Sequence, residues 1–198
     1  MNLLPEIPHH SNPRCILTRL IFALFLAALP AIAIAKDPTP PAPPKKVDVG
    51  TQAPDFKIKD ASGKIIDLAE LTAKGPVLVR LTCGCSGCDK ELAYFQKLNE
   101  AYKGQGLISL YVFKEPDAKM AKYAQEKKLD VLYAVDEKGA SWGTFETKSM
   151  PTNFLIAKGG KIVSIAAGCE PNGLIANAVS AKAGKLLGTE AVDLKKKK

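Results

Sequence analysis

Short apolar runs alternate along the chain with segments in which apolar residues recur every three or four positions. The runs are typical of buried strands, and the spaced residues are typical of amphipathic helices. The predicted strands cover residues 55–59, 65–68, 77–81, 107–113, 131–135, 154–157 and 162–166. The predicted helices run from Cys88 to Tyr102, over residues 117–128 with Asp117 as the N-cap, and from beyond Pro171 to Leu187. Strands that alternate with helices and close on a hairpin indicate a mixed α/β sandwich.

The first 35 residues have the pattern of an export signal. Arg14 and Arg19 precede an apolar core at residues 20–29, and Ala33-Ile34-Ala35 gives the small-x-small pattern of a cleavage site. The apolar run is short for a membrane span. We therefore expect a cleaved signal peptide over residues 1–35 and a protein exported to the periplasm or the extracellular space. An uncleaved segment would instead act as an N-terminal membrane anchor.

The two ends of the predicted domain are polar. Residues 36–48 hold five prolines in thirteen positions, which favours an extended linker. Residues 190–198 are predicted to form a basic tail, which could make weak contact with a membrane surface. The net charge is +8, but it comes mainly from lysine, and arginine is the residue favoured for recognising phosphates and bases. No nucleic-acid partner is expected, and the globular domain is assigned to residues 49–189.

The main chemical signal is the motif Cys85-Ser86-Gly87-Cys88 between a predicted buried strand and a predicted helix. Cysteines three positions apart on a helix share a face, so their sulfur atoms can meet. Free amide groups at a helix start stabilise a thiolate, which is the attacking species in disulfide exchange. The alternative is a purely structural disulfide, but so small a loop would contribute little stability. The motif therefore predicts a redox pair.

Several ordered motifs resemble the redoxin branch of the thioredoxin superfamily. These are residues 49–56 (VGTQAPDF), the apolar strand with the cysteine pair after it, residues 151–156 (PTNFLI) and residues 160–163 (GKIV). The resemblance implies a thioredoxin-like three-layer α/β/α sandwich with a mixed central sheet and an N-terminal β-hairpin. It also implies that Cys85 is the exposed nucleophile, Cys88 the resolving thiol and Pro151 a cis-proline facing the pair.

The same resemblance implies a function. Exported members of this branch are thiol–disulfide oxidoreductases, which exchange electrons with protein thiols or disulfides and with a redox partner. The two thiols carry the electrons themselves, so no cofactor and no metal are predicted. This chain departs from the family in having Gly84 where an aromatic residue usually precedes the first cysteine.

Three further residues are candidate auxiliaries of the pair. Arg80 could lower a thiol pKa as a nearby cation, or it could be an edge residue that extends its charge to water. By resemblance, the turn that holds Cys169 lies near the active site, so Cys83 and Cys169 could join the pair in a four-thiol cluster. A second disulfide, a relay to the main pair or a four-thiolate metal site would each fit. Alternatively, Cys83 is buried and inert and Cys169 is unrelated to the site.

Two other functions compete with disulfide exchange. Thr82-x-x-Cys85 imitates part of a peroxiredoxin signature, although Leu78 stands where that signature has proline. A thiolate site for copper or zinc is the other alternative. The thioredoxin-like copper chaperones also use a histidine, and both histidines of this chain, His9 and His10, lie in the export segment.

Overall fold

The computed structural model describes residues 46–195. The predicted export segment, the linker up to residue 45 and the last three lysines lie outside the described residues. The elements in chain order are β1 (Lys57–Lys59), β2 (Ile65–Asp67), α1 (Leu68–Lys74), β3 (Val77–Thr82), α2 (Ser86–Tyr102), a 3-10 turn (Lys103–Gln105), β4 (Ile108–Phe113), α3 (Asp117–Glu126), β5 (Leu132–Val135), α4 (Ala140–Thr144), β6 (Thr152–Ile156), β7 (Ile162–Ala167) and α5 (Leu174–Leu187). Within residues 46–195, no helix is both long and apolar enough to cross a bilayer.

A mixed sheet of five strands forms the centre, in the order β5-β4-β3-β6-β7. Strands β3, β4 and β5 are parallel. On the other side of β3 lies the hairpin β6–β7, in which β6 pairs antiparallel with β3 and β7 pairs antiparallel with β6. All six residues of β3 are buried, which explains its nearly continuous apolar sequence. The sheet therefore has its most protected strand in the middle, directly before the cysteine motif.

Alternate residues of the strands feed two separate cores. Val77, Val79 and Leu81 face a core that includes α1 and α4, whereas Leu78 belongs to a core built with α2, α3 and α5. This is the pattern expected of strands whose successive side chains point to opposite faces. Helices cover both faces, so the predicted three-layer α/β/α sandwich with a mixed sheet is confirmed. The predicted N-terminal hairpin is also present, as the antiparallel pair β1–β2.

The local differences from the predictions are concentrated in the helices. Helices α1 and α4 were not predicted, because they have only seven and five residues and leave almost no periodic signal. Helix α1 begins after Asp67, whose carboxylate accepts a hydrogen bond from the Ala69 amide. The prediction that Asp117 caps α3 is wrong, because Pro116 occupies the N-cap position and Asp117 is the first helical residue.

The first part of the predicted basic tail is packed against the domain, as far as Leu194. The Leu194 side chain is only 2% exposed and belongs to the core beneath α2 and α5. Its amide donates to Asn177 Oδ1 at 2.8 Å, and the Ser180 hydroxyl donates to the Val192 carbonyl at 2.7 Å. One buried leucine and these hydrogen bonds outweigh the polar composition of the segment, so the ordered domain extends beyond residue 189.

Candidate active site

The cysteine motif lies where β3 ends and α2 begins. Cys85 is the N-cap of α2 in an extended conformation, and its carbonyl accepts the first helical hydrogen bond from the Asp89 amide at 3.0 Å. The Cys85 side chain is exposed, whereas Cys88, one helical turn further on, is buried. This difference in exposure separates a thiol that a substrate can reach from a thiol that it cannot.

Cys83 lies against this pair. Its sulfur is 3.3 Å from the sulfur of Cys88, and both side chains are buried. The sulfur atoms of Cys83, Cys85 and Cys88 all lie within 4.8 Å of one another. We call these three residues the thiol trio. Cys83 is therefore buried, as the alternative of an inert Cys83 also had it, and it lies in contact with the pair.

The trio divides the thiols into one that ionises readily and one that resists ionisation. Hydrogen bonds lower the pKa of Cys85, first from the Cys83 thiol and then from the backbone amide of Cys88. Burial raises the pKa of Cys83 far above its ordinary value. Cys85 therefore ionises more readily than Cys83, and the thiolate is the reactive form in disulfide exchange.

Pro151 lies at the same end of the sheet. The Met150–Pro151 peptide bond is cis, as the family resemblance implied. Thr152, the next residue, pairs with Leu81, which places the start of β6 beside the end of β3. The Pro151 carbonyl accepts a hydrogen bond from the Gly168 amide at 2.8 Å, so Pro151 is held between the strand that leads to the cysteines and the turn that leads to Cys169.

Cys169 is beside the motif but outside the trio. Its thiol donates to the Gly87 carbonyl at 2.8 Å, and the side chain is exposed. Partial desolvation and the charge of Glu91 raise its pKa. The prediction that the Cys169 turn returns to the active site is confirmed by this contact. The expected four-thiol cluster is not formed in the part of the chain described, because Cys169 is not among the sulfurs that lie within 4.8 Å of one another.

Arg80 is buried beneath the motif, at 1% exposure, so the interpretation as an edge residue that reaches water is wrong. Its Nη2 contacts Glu91 Oε2 at 3.0 Å, and its Nη1 donates to Asn153 Oδ1 at 2.7 Å. The guanidinium also lies 4.2 Å from the centre of the Phe95 ring. Its charge is thus compensated locally, and hydrogen bonds, not Arg80, lower the pKa of Cys85.

Glu91 is the site residue that the sequence analysis missed. It is fully buried on α2, three positions after Cys88, in the stripe that contains the apolar core residues of the helix. Besides Arg80, its carboxylate accepts the Glu170 amide at 3.4 Å, next to Cys169. A charged residue in an otherwise apolar helical stripe was the signal that could have revealed it.

Acidic side chains on α2 and in the loop between β4 and α3 make hydrogen bonds that stabilise the backbone around the motif. Glu115 accepts the Gly84 amide at 3.2 Å, which fixes the backbone between Cys83 and Cys85. Asp89 accepts the Tyr123 hydroxyl at 2.7 Å and contacts the Lys127 ammonium at 2.5 Å. These contacts tie the first turn of α2 to α3, so the cysteine motif rests on a fixed backbone.

Comparison with known proteins identifies the family of the chain. The family model described as the AhpC/TSA family matches residues 49–165. The chain belongs to the AhpC/TSA family. It is 33% identical over 120 residues to a protein named thiol-disulfide oxidoreductase ResA from Bacillus thuringiensis (strain Al Hakam), which corresponds to 60% of this chain and 69% of that relative.

Two solved structures share the fold of this chain. One is a putative thiol:disulfide interchange protein DsbE from Chlorobium tepidum, with a TM-score of 0.65 and 24% identity over 72% of this chain and 100% of the other. The second is peroxidoxin BcpB from Mycobacterium tuberculosis, with a TM-score of 0.58 and 24% identity over 71% of this chain and 96% of the other. The thioredoxin-like architecture is therefore shown from sequence and from structure.

Proposed function

We propose that this AhpC/TSA member is an exported thiol–disulfide oxidoreductase, and that Cys85 and Cys88 exchange electrons with protein thiols or disulfides. The proposal rests mainly on the difference in exposure between the two thiols at the start of α2. An exposed thiol of lowered pKa lies one helical turn before a buried thiol. The similarity to the ResA thiol-disulfide oxidoreductases supports the same reaction class.

The geometry implies a two-step exchange. The Cys85 thiolate attacks one sulfur of a substrate disulfide, forms a mixed disulfide and releases the other substrate sulfur as a thiolate. Cys88 then loses its proton and attacks Cys85 Sγ, which expels the second substrate thiolate and leaves a Cys85–Cys88 disulfide. The substrate gains two electrons and the protein loses two. The reverse sequence oxidises a substrate dithiol.

A peroxidase function is disfavoured by the environment of Arg80. Members of the peroxiredoxin branch also use an arginine on a distant strand, and Arg80 is the only arginine of this chain after residue 35. Here its guanidinium is buried and already bonded to Glu91 and Asn153. It is therefore committed to a structural network and is not offered to a peroxide at Cys85.

A thiolate metal site is the second candidate function, and the thiol trio is the observation that favours it. Three sulfurs within 4.8 Å of one another match the soft ligands preferred by Cu(I) or Zn²⁺. Within residues 46–195 a fourth sulfur ligand is not supplied, because Cys169 lies outside the trio, and a structural zinc site usually has four ligands.

We expect the reduced protein to reduce the disulfides of insulin catalytically and to consume hydrogen peroxide only at the rate of an ordinary thiol. The physical reason is that Cys85 has a resolving thiol behind it, whereas Arg80, the one arginine within residues 46–195, is already bonded to Glu91 and Asn153. Insulin turbidity and peroxide consumption measured on one preparation test this, with Cys85→Ser as the control. Insulin reduction that survives in Cys85→Ser would overturn the proposal.

Native mass spectrometry with and without chelator tests the metal-site candidate on the same sample.

Export is the second testable part of the proposal. We expect the exported protein to begin at Lys36, because Ala33-Ile34-Ala35 gives small side chains at the positions that precede the cut. N-terminal sequencing of protein from the periplasm or medium measures this. An Ala35→Tyr variant should retain the first 35 residues, because a bulky residue does not suit the cleavage site. A wild-type chain that keeps Met1 and stays with the membrane would replace export by anchoring.

A further inference from the structure

The sulfur of Cys83 lies directly beside the sulfur of Cys88. The two sulfurs are 3.3 Å apart at the junction of β3 and α2, and a disulfide bond is about 2.05 Å long. Both side chains point into the same buried space behind the exposed Cys85. The two-cysteine mechanism described above has no role for a third sulfur at this position.

We propose that Cys83 is a third redox thiol, which takes over the bond to Cys88 in the oxidised protein and sets Cys85 free again. The inference rests on the proposed Cys85–Cys88 chemistry and goes beyond it. After substrate reduction the protein holds a Cys85–Cys88 disulfide. Cys83 then attacks Cys88 Sγ from the buried side, forms a Cys83–Cys88 disulfide and expels Cys85.

The step is balanced without any other reactant. One S–S bond forms between Cys83 and Cys88, and the S–S bond between Cys85 and Cys88 breaks. The Cys83 thiol releases its proton to solvent, and Cys85 leaves with the electron pair as a thiolate. The protein stays oxidised by two electrons throughout, so neither an oxidant nor a reductant is required.

The chemistry of the trio favours this direction. In disulfide exchange the thiol of lower pKa is the better leaving group, and Cys85 is the thiol whose pKa is lowered. The hydrogen bonds from the Cys83 and Cys88 thiols disappear when those sulfurs are joined. The backbone amides of Gly87 and Cys88 at the start of α2 still bond to the Cys85 sulfur, so the released thiolate remains stabilised. Burial opposes ionisation of the Cys83 thiol. An uncharged Cys83–Cys88 disulfide therefore suits this buried position better than a Cys83 thiolate would.

The consequence is an oxidised protein that still presents a nucleophile. The oxidising equivalent is held in a buried disulfide, where solvent thiols have little access to it. Cys85 remains exposed and able to attack another sulfur. A protein with only the two-cysteine motif would have no reactive thiol in this state.

Identifying the free thiol in the oxidised protein tests the proposal. The full-length protein is oxidised with diamide, quenched with acid to stop exchange, and alkylated with N-ethylmaleimide in acidic denaturant. Reduction, iodoacetamide labelling and trypsin then release residues 81–90, which hold the whole trio on one peptide. Fragmentation mass spectrometry assigns each label. We expect most of the maleimide on Cys85, with Cys83 and Cys88 carrying iodoacetamide.

The alternatives give different label patterns. Maleimide mainly on Cys83 would show a stable Cys85–Cys88 disulfide and overturn the inference, while insulin reduction that depends on Cys85 would leave the proposed function standing. Iodoacetamide on Cys169 would show that Cys169 takes part in a disulfide, and this too would overturn the inference. Cys169→Ser is the matched control and should leave the labels on the trio unchanged. In Cys83→Ser, the oxidised protein should have no maleimide on Cys85.

Discussion

A chain with both Cys83→Ser and Cys88→Ser should accumulate a stable mixed disulfide between Cys85 and its substrate, in most of the molecules. Serine cannot attack a disulfide under these conditions, so the intermediate that normally resolves becomes the end point. The single variant Cys88→Ser should trap less, because the Cys83 sulfur lies within 4.8 Å of Cys85 and can resolve the adduct. Non-reducing gel electrophoresis followed by mass spectrometry of the linked peptides measures both yields.

Two further variants make this result specific. Cys85→Ser should give no adduct and should reduce insulin only at the uncatalysed rate, since the exposed thiolate has been removed. Cys169→Ser should trap and turn over like the parent chain, because Cys169 contacts Gly87 and is not part of the trio. If the adduct in Cys88→Ser forms through Cys83, the assignment of Cys85 as nucleophile is wrong.

The sheet could be predicted from sequence because its three inner strands, β4, β3 and β6, are almost fully buried and carry a strong local signal. Residues 77–81, for example, were predicted as a strand and lie within β3, whose six residues are all buried. Helices α1 and α4 escaped prediction for the opposite reason. A helix of five to seven residues depends on its packing, such as that of Trp142 and Leu71 in the core, and hardly on its own periodicity.

The cysteine pair could be predicted because its chemistry depends on spacing within one element. The contact between Cys83 and Cys88 could not, since it depends on the angle at which α2 leaves β3. Arg80 and Glu91 belong to different elements as well, and only the packing of α2 on the sheet joins them. Sequence patterns give the face that a residue occupies, but they do not give its partner on the opposing element.

The docked C-terminal segment shows the same limit. Composition alone predicts a basic tail over residues 190–198, because the segment ends in four lysines. A single buried leucine at 194 and the hydrogen bonds of residues 192 and 194 to α5 and α2 attach the segment to the domain. These bonds reach back 12 and 17 residues to α5 and 97 residues to α2, and the polar sequence of the segment itself gives no sign of them.

Breaking the buried ion pair beneath the active site should be among the most destabilising changes in this domain. Arg80→Met and Glu91→Met should each lower the free energy of unfolding by about 3–5 kcal/mol, because each leaves one buried charge without its partner. Such a loss is a large part of the total stability of a typical domain, which is about 5–15 kcal/mol. Urea unfolding of the reduced protein measures the change.

The double variant Arg80→Met/Glu91→Met distinguishes this pairing from a simple loss of packing. It removes both charges together, so it should cost only about 1–3 kcal/mol, mainly because Asn153 loses the hydrogen bond from Arg80. The matched surface control is Lys122→Met, which breaks an exposed pair with Glu126 and should change stability by at most about 0.5 kcal/mol. If the two single costs simply add in the double variant, Arg80 and Glu91 do not stabilise each other, since independent sites are the ones whose effects are additive.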